Sequence, residues 1–441
     1  MKKLMFMILS LLTLSSCTQF NTSLDSRNNA SEFSISEDSS KEEETVDIEK
    51  EIMQWEKKGY VCDNNLVYSN EYNNQQEYFV VGYYGKPKSI VIPEYFNDLP
   101  VTQIKWAFVG CSSLEKLFIS KNITSIWESS FDDCISLKEI VIDENNSSFF
   151  LDNGLLYKRS NDGLLSLIIS LSSVKGKVTL LEETVYINHY AFATYPQIEE
   201  LYLGKNISYI NSSATFEGLD HLNYIEVDKE NSEYATIDGV LFSKDLKDLI
   251  FISPTRHIDY KIPETVESVY GSFEKCTKLK NLTINKNISK VYPLYSQTYE
   301  NVYVSEENPH FTSVDGILYS KDLKTVLLVP PMKVNSALLD SVIEIASYAF
   351  LENSNEKIVL PDSVILINDY AFPFHNLYLY NEQLKEITIG KNVTKIGTCA
   401  FDGTINLKTV NYKGNQESFS QIEILEYNDY FLNADIIYNY E

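Results

Sequence analysis

The chain has 441 residues, and its length and composition exclude several classes of protein. One compact core stops growing well below this size, so the chain must be built from several globular domains or from repeats. Hydrophobic residues make up 44%, which excludes a chain that is disordered throughout. The formal net charge of −25 argues against nucleic acid and anionic lipid surfaces as direct partners, and favours a neutral or basic partner.

The first 16 residues are predicted to be a secretory signal. Two lysines at the start precede an apolar run over 4–14, which is too short to cross a bilayer as a helix. The run ends in Leu14-Ser15-Ser16-Cys17, which resembles a lipobox. That resemblance implies cleavage before Cys17 and attachment of a lipid to its thiol. An ordinary secretory signal with an incidental cysteine is the alternative.

Two short segments are expected between the signal and the repeats. Residues 17–45 are rich in Ser, Asn, Asp and Glu, with too little apolar material to pack, and are predicted to form a flexible acidic tether. From Asp47 to Lys58 apolar residues recur at helical spacing, which predicts a short helix within an N-terminal cap over 46–80. Such a tether would lift the following domain away from a membrane.

The region 81–412 repeats one pattern, in which apolar residues stand at the first, fourth and sixth positions. Alternation over the last three positions is typical of a half-buried strand. Each copy is followed by a polar turn, a second apolar step and a phenylalanine. Three pairs of copies begin 23 or 24 residues apart, which is the length of one coil of a leucine-rich solenoid. The copies begin at Leu114, Leu137, Ile198, Leu222, Leu279, Leu384 and Leu407.

Three longer gaps between copies contain the same insertion. Each insertion has an Asn-Gly or Asp-Gly pair between apolar runs, which is a strong signal for a β-hairpin. The acidic turn before each pair could offer oxygen ligands to calcium, but no calcium-loop spacing is present, and turn formation is favoured. The three pairs are Asn153-Gly154, Asp238-Gly239 and Asp315-Gly316.

Together these patterns predict a repeat solenoid that is mainly β, a leucine-rich-repeat stack of about 23-residue coils with inserted β-hairpins. A single coil leaves its apolar face in water, whereas a stack of coils buries a continuous interior. The last segment, 413–441, is predicted to be a C-terminal cap.

The repeat resembles that of the BspA-like, Treponema-type leucine-rich-repeat proteins. Their unit is roughly Ile-Pro-x-x-Val-x-x-Ile-x-x-x-Ala-Phe-x-x-Cys-x-x-Leu-x-x-Ile. Its first half is matched by Ile262-Pro263-x-x-Val266-x-x-Val269, and its second half by Phe108-x-x-Cys111-x-x-Leu114. The resemblance covers about residues 78–441. It implies a bacterial surface or secreted protein, and several family members resemble adhesins that bind host matrix or other cells.

Residues that usually carry chemistry form no recognisable site. The histidines share no local motif, and the sequence has no nucleophile elbow, phosphate loop or dinucleotide fingerprint. No Cys-x-x-Cys pair indicates zinc. Cys111 and Cys134, at equivalent repeat positions, are interpreted as small buried residues, with a disulfide between them as the alternative. No catalytic residue, metal, cofactor or small-molecule substrate is therefore predicted.

The outward position of each strand is the predicted binding surface. It lies between the two inward residues, and the outward residues of neighbouring coils would form a ladder that an interaction partner can contact. Preference of these residue types for strands is the alternative explanation of the pattern. The ladder is predicted to include Phe118, Val141, Tyr202, Glu226, Thr283 and Tyr303, and to continue through Val359, Thr388 and Asn411.

The sequence favours a binding protein over an enzyme. It predicts a surface-exposed protein of the bacterial cell envelope, lipid-anchored through Cys17, that binds a protein partner and serves as an adhesin to host or neighbouring cells. Nucleic acid is not expected as a partner. A passive structural or assembly component of the envelope is one alternative, and a polysaccharide-active enzyme is another.

Overall fold

The computed structural model describes residues 48–71, 76–210, 213–269, 273, 276–291, 298–372 and 381–441. All of them belong to the unit Asp47–Glu441. The predicted signal 1–16, the tether 17–45 and the lipid site Cys17 lie outside the described residues, so these expectations stay predictions. None of the described helices has the length and apolar character that crossing a membrane requires.

The longer strand of each coil joins one of four parallel sheets, which we name the A sheets. Apart from one register shift after Gly176, the strands pair in register with the equivalent strand of the next coil, so that equivalent residues lie side by side. Numbered in chain order, the A sheets are β4 (Ser89–Val91), β7 (Lys116–Ile119) and β9 (Glu139–Ile142); β13 (Lys175–Thr179), β15 (Gln197–Leu203) and β17 (Tyr224–Val227); β21 (Asp259–Lys261), β23 (Asn281–Ile284) and β25 (Asn301–Val304); and β30 (Lys357–Val359), β32 (Glu386–Ile389), β34 (Thr409–Tyr412) and β36 (Asp435–Tyr438).

The short strand of each coil joins a second set of four sheets, the B sheets. In each B sheet, antiparallel strands at one end lead into a parallel series. They are β1 (Val61–Asp63), β2 (Leu66–Ser69), β3 (Tyr78–Tyr83) and β6 (Leu99–Ile104), with β5 (Tyr95–Phe96) and β8 (Ser125–Ile126) paired to β6; β10 (Phe149–Asp152), β11 (Leu155–Arg159), β12 (Leu165–Ser170), β14 (Thr184–Ile187) and β16 (Tyr209–Ile210); β18 (Tyr234–Ile237), β19 (Val240–Ser243), β20 (Asp248–Ile252), β22 (Ser268–Val269) and β24 (Lys290–Val291); and β26 (Phe311–Val314), β27 (Ile317–Ser320), β28 (Thr325–Leu328), β29 (Glu344–Ile345), β31 (Leu366–Ile367), β33 (Lys395–Ile396) and β35 (Glu423–Ile424).

The described helices are short and few. They are α1 (Ile48–Lys57), α2 (Gln416–Phe419), α3 (Asp429–Leu432) and one 3-10 turn (Ser213–Phe216). The architecture is a β-solenoid of about 15 turns with coils of about 23 residues, which confirms the predicted fold class.

The interior of the solenoid is filled by the rows of leucine and phenylalanine that the repeat predicts. Leu114, Leu117 and Ile119 of one coil are fully buried. The Phe401 ring centroid lies 4.7 Å from that of Phe372 and 4.6 Å from that of Phe431. Stacked rings bury large apolar areas against each other, so each coil stabilises its neighbours. The predicted phenylalanines that are buried are Phe108, Phe131, Phe192, Phe216, Phe273, Phe350, Phe372 and Phe401.

The three predicted hairpins are present as β10–β11, β18–β19 and β26–β27. Both central turn residues have positive φ, 47° at Asn153 and 81° at Gly154 in the first hairpin, which explains the Asn-Gly and Asp-Gly pairs. In each case the second strand shifts register against a third strand just before a buried aromatic residue. These residues are Tyr157, Phe242 and Tyr319.

A fourth copy of this unit, β1–β2–β3, begins in the predicted N-terminal cap over 46–80 and ends just beyond it at Tyr83. Its turn residues Asn64 and Asn65 have φ of 49° and 66°, and the register shift falls before the buried Tyr68. The sequence pattern misses this hairpin because Asn65 stands where the others have glycine. Asparagine tolerates the left-handed region better than other residues with a side chain, so the same turn forms without glycine.

An asparagine fixes the turn before each predicted hairpin to the preceding coil, and it is buried in the second and third hairpins. The Asn308 side chain donates from Nδ2 to the carbonyls of Asn285 (2.9 Å) and Ile288 (3.0 Å). Its Oδ1 accepts the backbone N–H groups of His310 and Phe311, both at 2.8 Å. Both amide donors and both acceptor directions are therefore used. Asn146 and Asn231 make the equivalent four bonds, which agrees with turn formation.

We expect Asn308→Ala to lower the free energy of unfolding by about 3 kcal/mol, because two carbonyls and two N–H groups would lose their partner in the interior. Urea unfolding followed by circular dichroism measures this change. Asn145→Ala, at an exposed asparagine in the first of these turns, is the control and should change stability by less than about 0.5 kcal/mol. Equal losses in the two variants would contradict the assigned role of Asn308.

Candidate binding surfaces

The predicted outward ladder is divided among the A sheets. The structure places the six residues as three pairs on adjacent strands, each pair on a different A sheet, and does not join the pairs into one ladder. A hairpin follows each of these sheets, and Val302 of β25 donates its N–H to the carbonyl of Gly316 at a hairpin tip, 2.9 Å away. The pairs are Phe118 with Val141, Tyr202 with Glu226, and Thr283 with Tyr303.

The first A sheet carries an apolar outward row of three residues. Val91, Phe118 and Val141 lie directly beside one another on β4, β7 and β9. Val91 is 62% exposed, and the other two are partly exposed. Two residues earlier on the neighbouring strands, Lys116 and Glu139 form an ion pair at 2.7 Å. An apolar row beside a polar edge is the arrangement found in many interfaces.

The second and third rows are more polar than the first. Lys177 Nζ lies 4.1 Å from the Tyr202 ring centroid, and the Tyr202 hydroxyl donates to Glu200 at 2.9 Å. Glu226 is exposed, and Tyr303 is 47% exposed. These side chains offer hydrogen bonds and charge where the first row offers apolar area.

On the fourth A sheet an outward strand position does not mean exposure. Val359 on β30 is 61% exposed, but Thr388 and Asn411, at the paired positions of the next two strands, are buried. The Asn411 amide donates to Glu386 at 2.8 Å. Only the ends of this row are therefore available to a partner.

Two hairpin tips are held by an ion pair with the following coil. The Arg256 guanidinium contacts the Asp238 carboxylate, and Lys333 Nζ lies 3.4 Å from Asp315 Oδ1. In the first hairpin the tip residue is Asn153, and the side chain that approaches the turn glycine is Val174. A basic side chain therefore approaches the tip where the tip residue is aspartate, and an apolar one approaches it where the tip residue is asparagine. The pairs are partly exposed, so each contributes at most about 1 kcal/mol.

A cleft on the B-sheet side opens beside the first predicted hairpin. It has a volume of about 490 Å³ and lies where β8, the last strand of the first B sheet, is followed by β12 of the second. Its apolar part is a pair of indoles, Trp106 and Trp127, with ring centroids 4.7 Å apart and planes at 79°. Trp106 is 57% exposed and Trp127 is 39% exposed.

The rest of the cleft is polar. The Tyr186 hydroxyl donates to Glu128 Oε1 at 2.6 Å, which joins residues that are 58 positions apart in the chain. Lys158, Ser166 and Asn188 also line the cleft. The side chains include both hydrogen-bond donors and acceptors.

The repeats of this chain match a known family model. The profile described as "BspA type Leucine rich repeat region" matches six copies in the chain, over residues 85–156, 172–291, 246–306 and 334–427. These ranges cover more than half of the 441 residues.

The chain belongs to the BspA-type leucine-rich-repeat family. This assignment makes it a repeat scaffold of the leucine-rich class, whose coils present strands on a shared surface.

Solved structures of three bacterial repeat proteins resemble this family member. A leucine-rich cell surface protein from Faecalibacterium prausnitzii shares 18% identity over 82% of this chain and 97% of its own, with a TM-score of 0.35. The pneumococcal vaccine antigen PcpA shares 18% over 86% and 98%, with a TM-score of 0.36. A leucine-rich repeat protein from Eubacterium ventriosum shares 15% over 78% and 94%, with a TM-score of 0.36. A search of curated proteins found no match.

The groups that could carry other chemistry are dispersed in this scaffold. Within the described part of the chain, no three His, Cys, Asp or Glu side chains are grouped so that they could hold a metal ion. Cys111 and Cys134 are buried free thiols. Burial raises the pKa of both thiols, which keeps them protonated and weakly reactive.

The backbone conformation of Trp106 is a feature of the repeat, since it recurs at the same position in other coils. Trp106 has φ of 51°, a conformation that is costly for a bulky residue. The same corner position, two residues before the buried phenylalanine, has positive φ in other coils too. The equivalent residues are Ser129, Tyr190, Tyr348, Tyr370 and Cys399.

The sequence analysis missed the tryptophan cleft. Two of the three tryptophans stand 21 positions apart, close to one coil length, and that spacing was an available signal. The polar half of the cleft had no such signal, because Glu128 and Tyr186 meet only after the inserted hairpin has been placed.

Asp132 lies in a small pocket beside the cleft, together with His189 and Phe131. Burial raises the pKa of Asp132 to about 7, and the nearby Asp133 and Glu217 act in the same direction. Burial lowers the pKa of His189. Asp132 is therefore about half protonated at neutral pH, and His189 favours its neutral form.

We expect Asp132 to make stability fall as pH rises from about 4 to 7. Its folded pKa lies above the unfolded value of about 3.9, so the folded state holds the proton more tightly, and this contribution is lost as pH rises through the folded pKa. Asp132→Asn should therefore stabilise the protein at pH 8 by about 2 kcal/mol, which allows for partial solvent screening, with little effect at pH 4.

Thermal or urea unfolding across this pH range measures the effect. Glu144→Gln, at an exposed carboxylate that is not among the groups acting on Asp132, is the control and should leave the pH profile unchanged. A profile for Asp132→Asn that runs parallel to the unmodified protein would disprove the role given to burial.

Proposed function

We propose that the protein is a lipid-anchored protein of the bacterial cell surface that binds a protein partner and acts as an adhesin. The observation that carries this proposal is the apolar outward row Val91–Phe118–Val141 on the first A sheet. Such a row would face water in the absence of a partner, and contiguous exposed apolar area typically marks an interaction site.

The geometry of the row supports a protein partner in particular. Neighbouring parallel strands lie about 4.8 Å apart, so three outward residues in register make a continuous surface. The Lys116–Glu139 pair on the same side adds charges of both signs that a partner can contact at the edge. Since the whole chain carries a net charge of −25, neutral or basic partners are favoured.

The proposed attachment to the envelope is supported by the amino-acid sequence alone. The predicted signal 1–16 would direct export, lipid on Cys17 would hold the protein to a membrane, and the acidic tether 17–45 would lift the solenoid off it. This arrangement leaves the outward rows accessible to a molecule on another surface.

We expect Val91→Asp to weaken binding to the partner at least tenfold, because a carboxylate placed in the apolar row would lose water on association without gaining a partner. Binding of the purified protein to a panel of immobilised host matrix proteins and to whole host or neighbouring cells measures this. Val359→Asp is the matched control, since Val359 is 61% exposed at an outward position of the fourth A sheet.

If the purified protein bound only to components of the bacterial envelope, this result would favour a structural or assembly protein over an adhesin. Equal binding by both aspartate variants would contradict the assignment of the first row. Circular dichroism of the variants excludes misfolding as the cause of a loss.

We expect Cys17→Ala to release the exported protein from the membrane fraction, because the thiol that would carry the lipid is removed. Proteolysis of intact cells and fractionation of the two forms give the readout. Serine at position 16 offers a control, since Ser16→Ala keeps a small residue before the cysteine. A Cys17→Ala protein that stays bound to the membrane and equally sensitive to surface proteolysis would rule out the lipid anchor.

A further inference from the structure

The tryptophan cleft on the B-sheet side is not used by the proposed protein interface on the first A sheet. It is lined by Trp106, Trp127, Glu128, Lys158, Tyr186 and Asn188, together with serines from β8 and β12. We propose that this cleft is a second binding site, and that its ligand is a neutral oligosaccharide.

The indole pair supplies an apolar surface of fixed shape. Because the planes of Trp106 and Trp127 meet at 79°, they form a platform and a wall. Lys105 Nζ lies 4.9 Å from the Trp127 ring centroid and 3.6 Å from that of Phe79, and the Trp127 Nε1–H donates to Gln103 at 3.3 Å. These contacts hold Trp127 in place before any ligand arrives, which reduces the entropy cost of binding.

The exposed pair offers apolar surface that a ligand can cover. Trp106 is 57% exposed, although an indole buries more apolar area than nearly any other side chain when it packs. The aliphatic C–H face of a sugar ring matches a flat indole, since both are apolar and both allow close contact over several atoms.

The polar lining matches hydroxyl groups, which both donate and accept. The Glu128 carboxylate accepts one bond from Tyr186 at 2.6 Å, and two carboxylate oxygens have about four acceptor directions in all. Lys158, partly buried on β11, is a donor, and Ser125 and Ser166 are donors and acceptors. A ligand with many hydroxyls can use both kinds of group at once.

Charge separates this ligand class from peptides and anions. The cleft is lined by one carboxylate, Glu128, and one ammonium, Lys158. The Lys105 ammonium contacts the Trp127 ring. A basic peptide would meet Lys158, and an anion would meet Glu128 within a chain of net charge −25. A neutral ligand avoids both penalties, which is why an oligosaccharide fits better than a charged partner. The cleft volume of about 490 Å³ falls within the usual range for small-ligand sites.

The test titrates the full chain with neutral cello-, malto-, manno- and chito-oligosaccharides and follows tryptophan fluorescence. The chain has three tryptophans, and the cleft holds two of them, so occupancy should change the spectrum saturably for at least one sugar. Trp106→Ala should weaken that binding roughly tenfold or more. Tyr95→Ala is the matched control, since Tyr95 is also 57% exposed but does not line the cleft.

A second variant, Glu128→Gln, keeps the shape of the side chain and should also weaken sugar binding several-fold. Val91→Asp should leave sugar binding unchanged, so failure of this proposal and failure of the protein-binding proposal are distinguishable. Three results would overturn the inference: no sugar binds to the folded protein, Trp106→Ala binds as well as the unmodified chain, or an oligo-arginine peptide binds in the cleft in place of a sugar.

Discussion

Lateral contact between successive coils is the constraint on which the rest of this structure depends. A coil of about 23 residues cannot bury its own leucines and phenylalanines, and its short strands cannot pair within the coil. Both needs are met only by the next coil, through parallel pairing such as that of Leu117 with Ile140 and through ring stacks such as Phe372 on Phe401. Buried asparagines add hydrogen bonds in the same direction, from one coil to the next.

The described ends of the stack use different devices. Near the beginning, α1 packs its Trp55 ring so close to Gly82 that a Cβ there would lie 3.0 Å from it, and Glu51 accepts the N–H of Gly85 at 2.7 Å. Near the end, Phe431 from α3 completes the phenylalanine row, and β36 pairs with β34. Each device covers apolar surface that a further coil would otherwise cover.

Inserted hairpins give an otherwise uniform scaffold its distinct surfaces. A stack without insertions would present one long A sheet and one long B sheet, whereas the described residues form four of each. The interruptions divide the outward residues into short rows of different chemistry, apolar in the first sheet and polar in the second. The first predicted hairpin also opens the cleft on the B-sheet side, where Tyr186 reaches across to Glu128. One repeat thus carries an exposed apolar row in one place and a cleft with two indoles and a polar lining in another.

The repeat length, the inward leucines and phenylalanines, and the hairpins that contain Asn-Gly or Asp-Gly are all predictable from the amino-acid sequence. These features are local, because strand alternation and turn chemistry depend on residues a few positions apart. The hairpin at Asn64-Asn65 was not predicted, because Asn65 stands where the other hairpins have the glycine that signals the turn, and asparagine tolerates the same conformation. Even there, the neighbouring strands follow the common pattern.

Which outward residues share a surface depends on how the coils pack, and the repeat pattern does not predict it. Phe118 and Tyr202 occupy equivalent strand positions, yet they belong to different sheets, and Asn411 at another such position is buried. The cleft is a further case, since Glu128 and Tyr186 are brought together by the way coils pack around an insertion. The physical reason is that repetition fixes what each coil contributes, whereas contacts across a break depend on how far the inserted segment displaces the next coil.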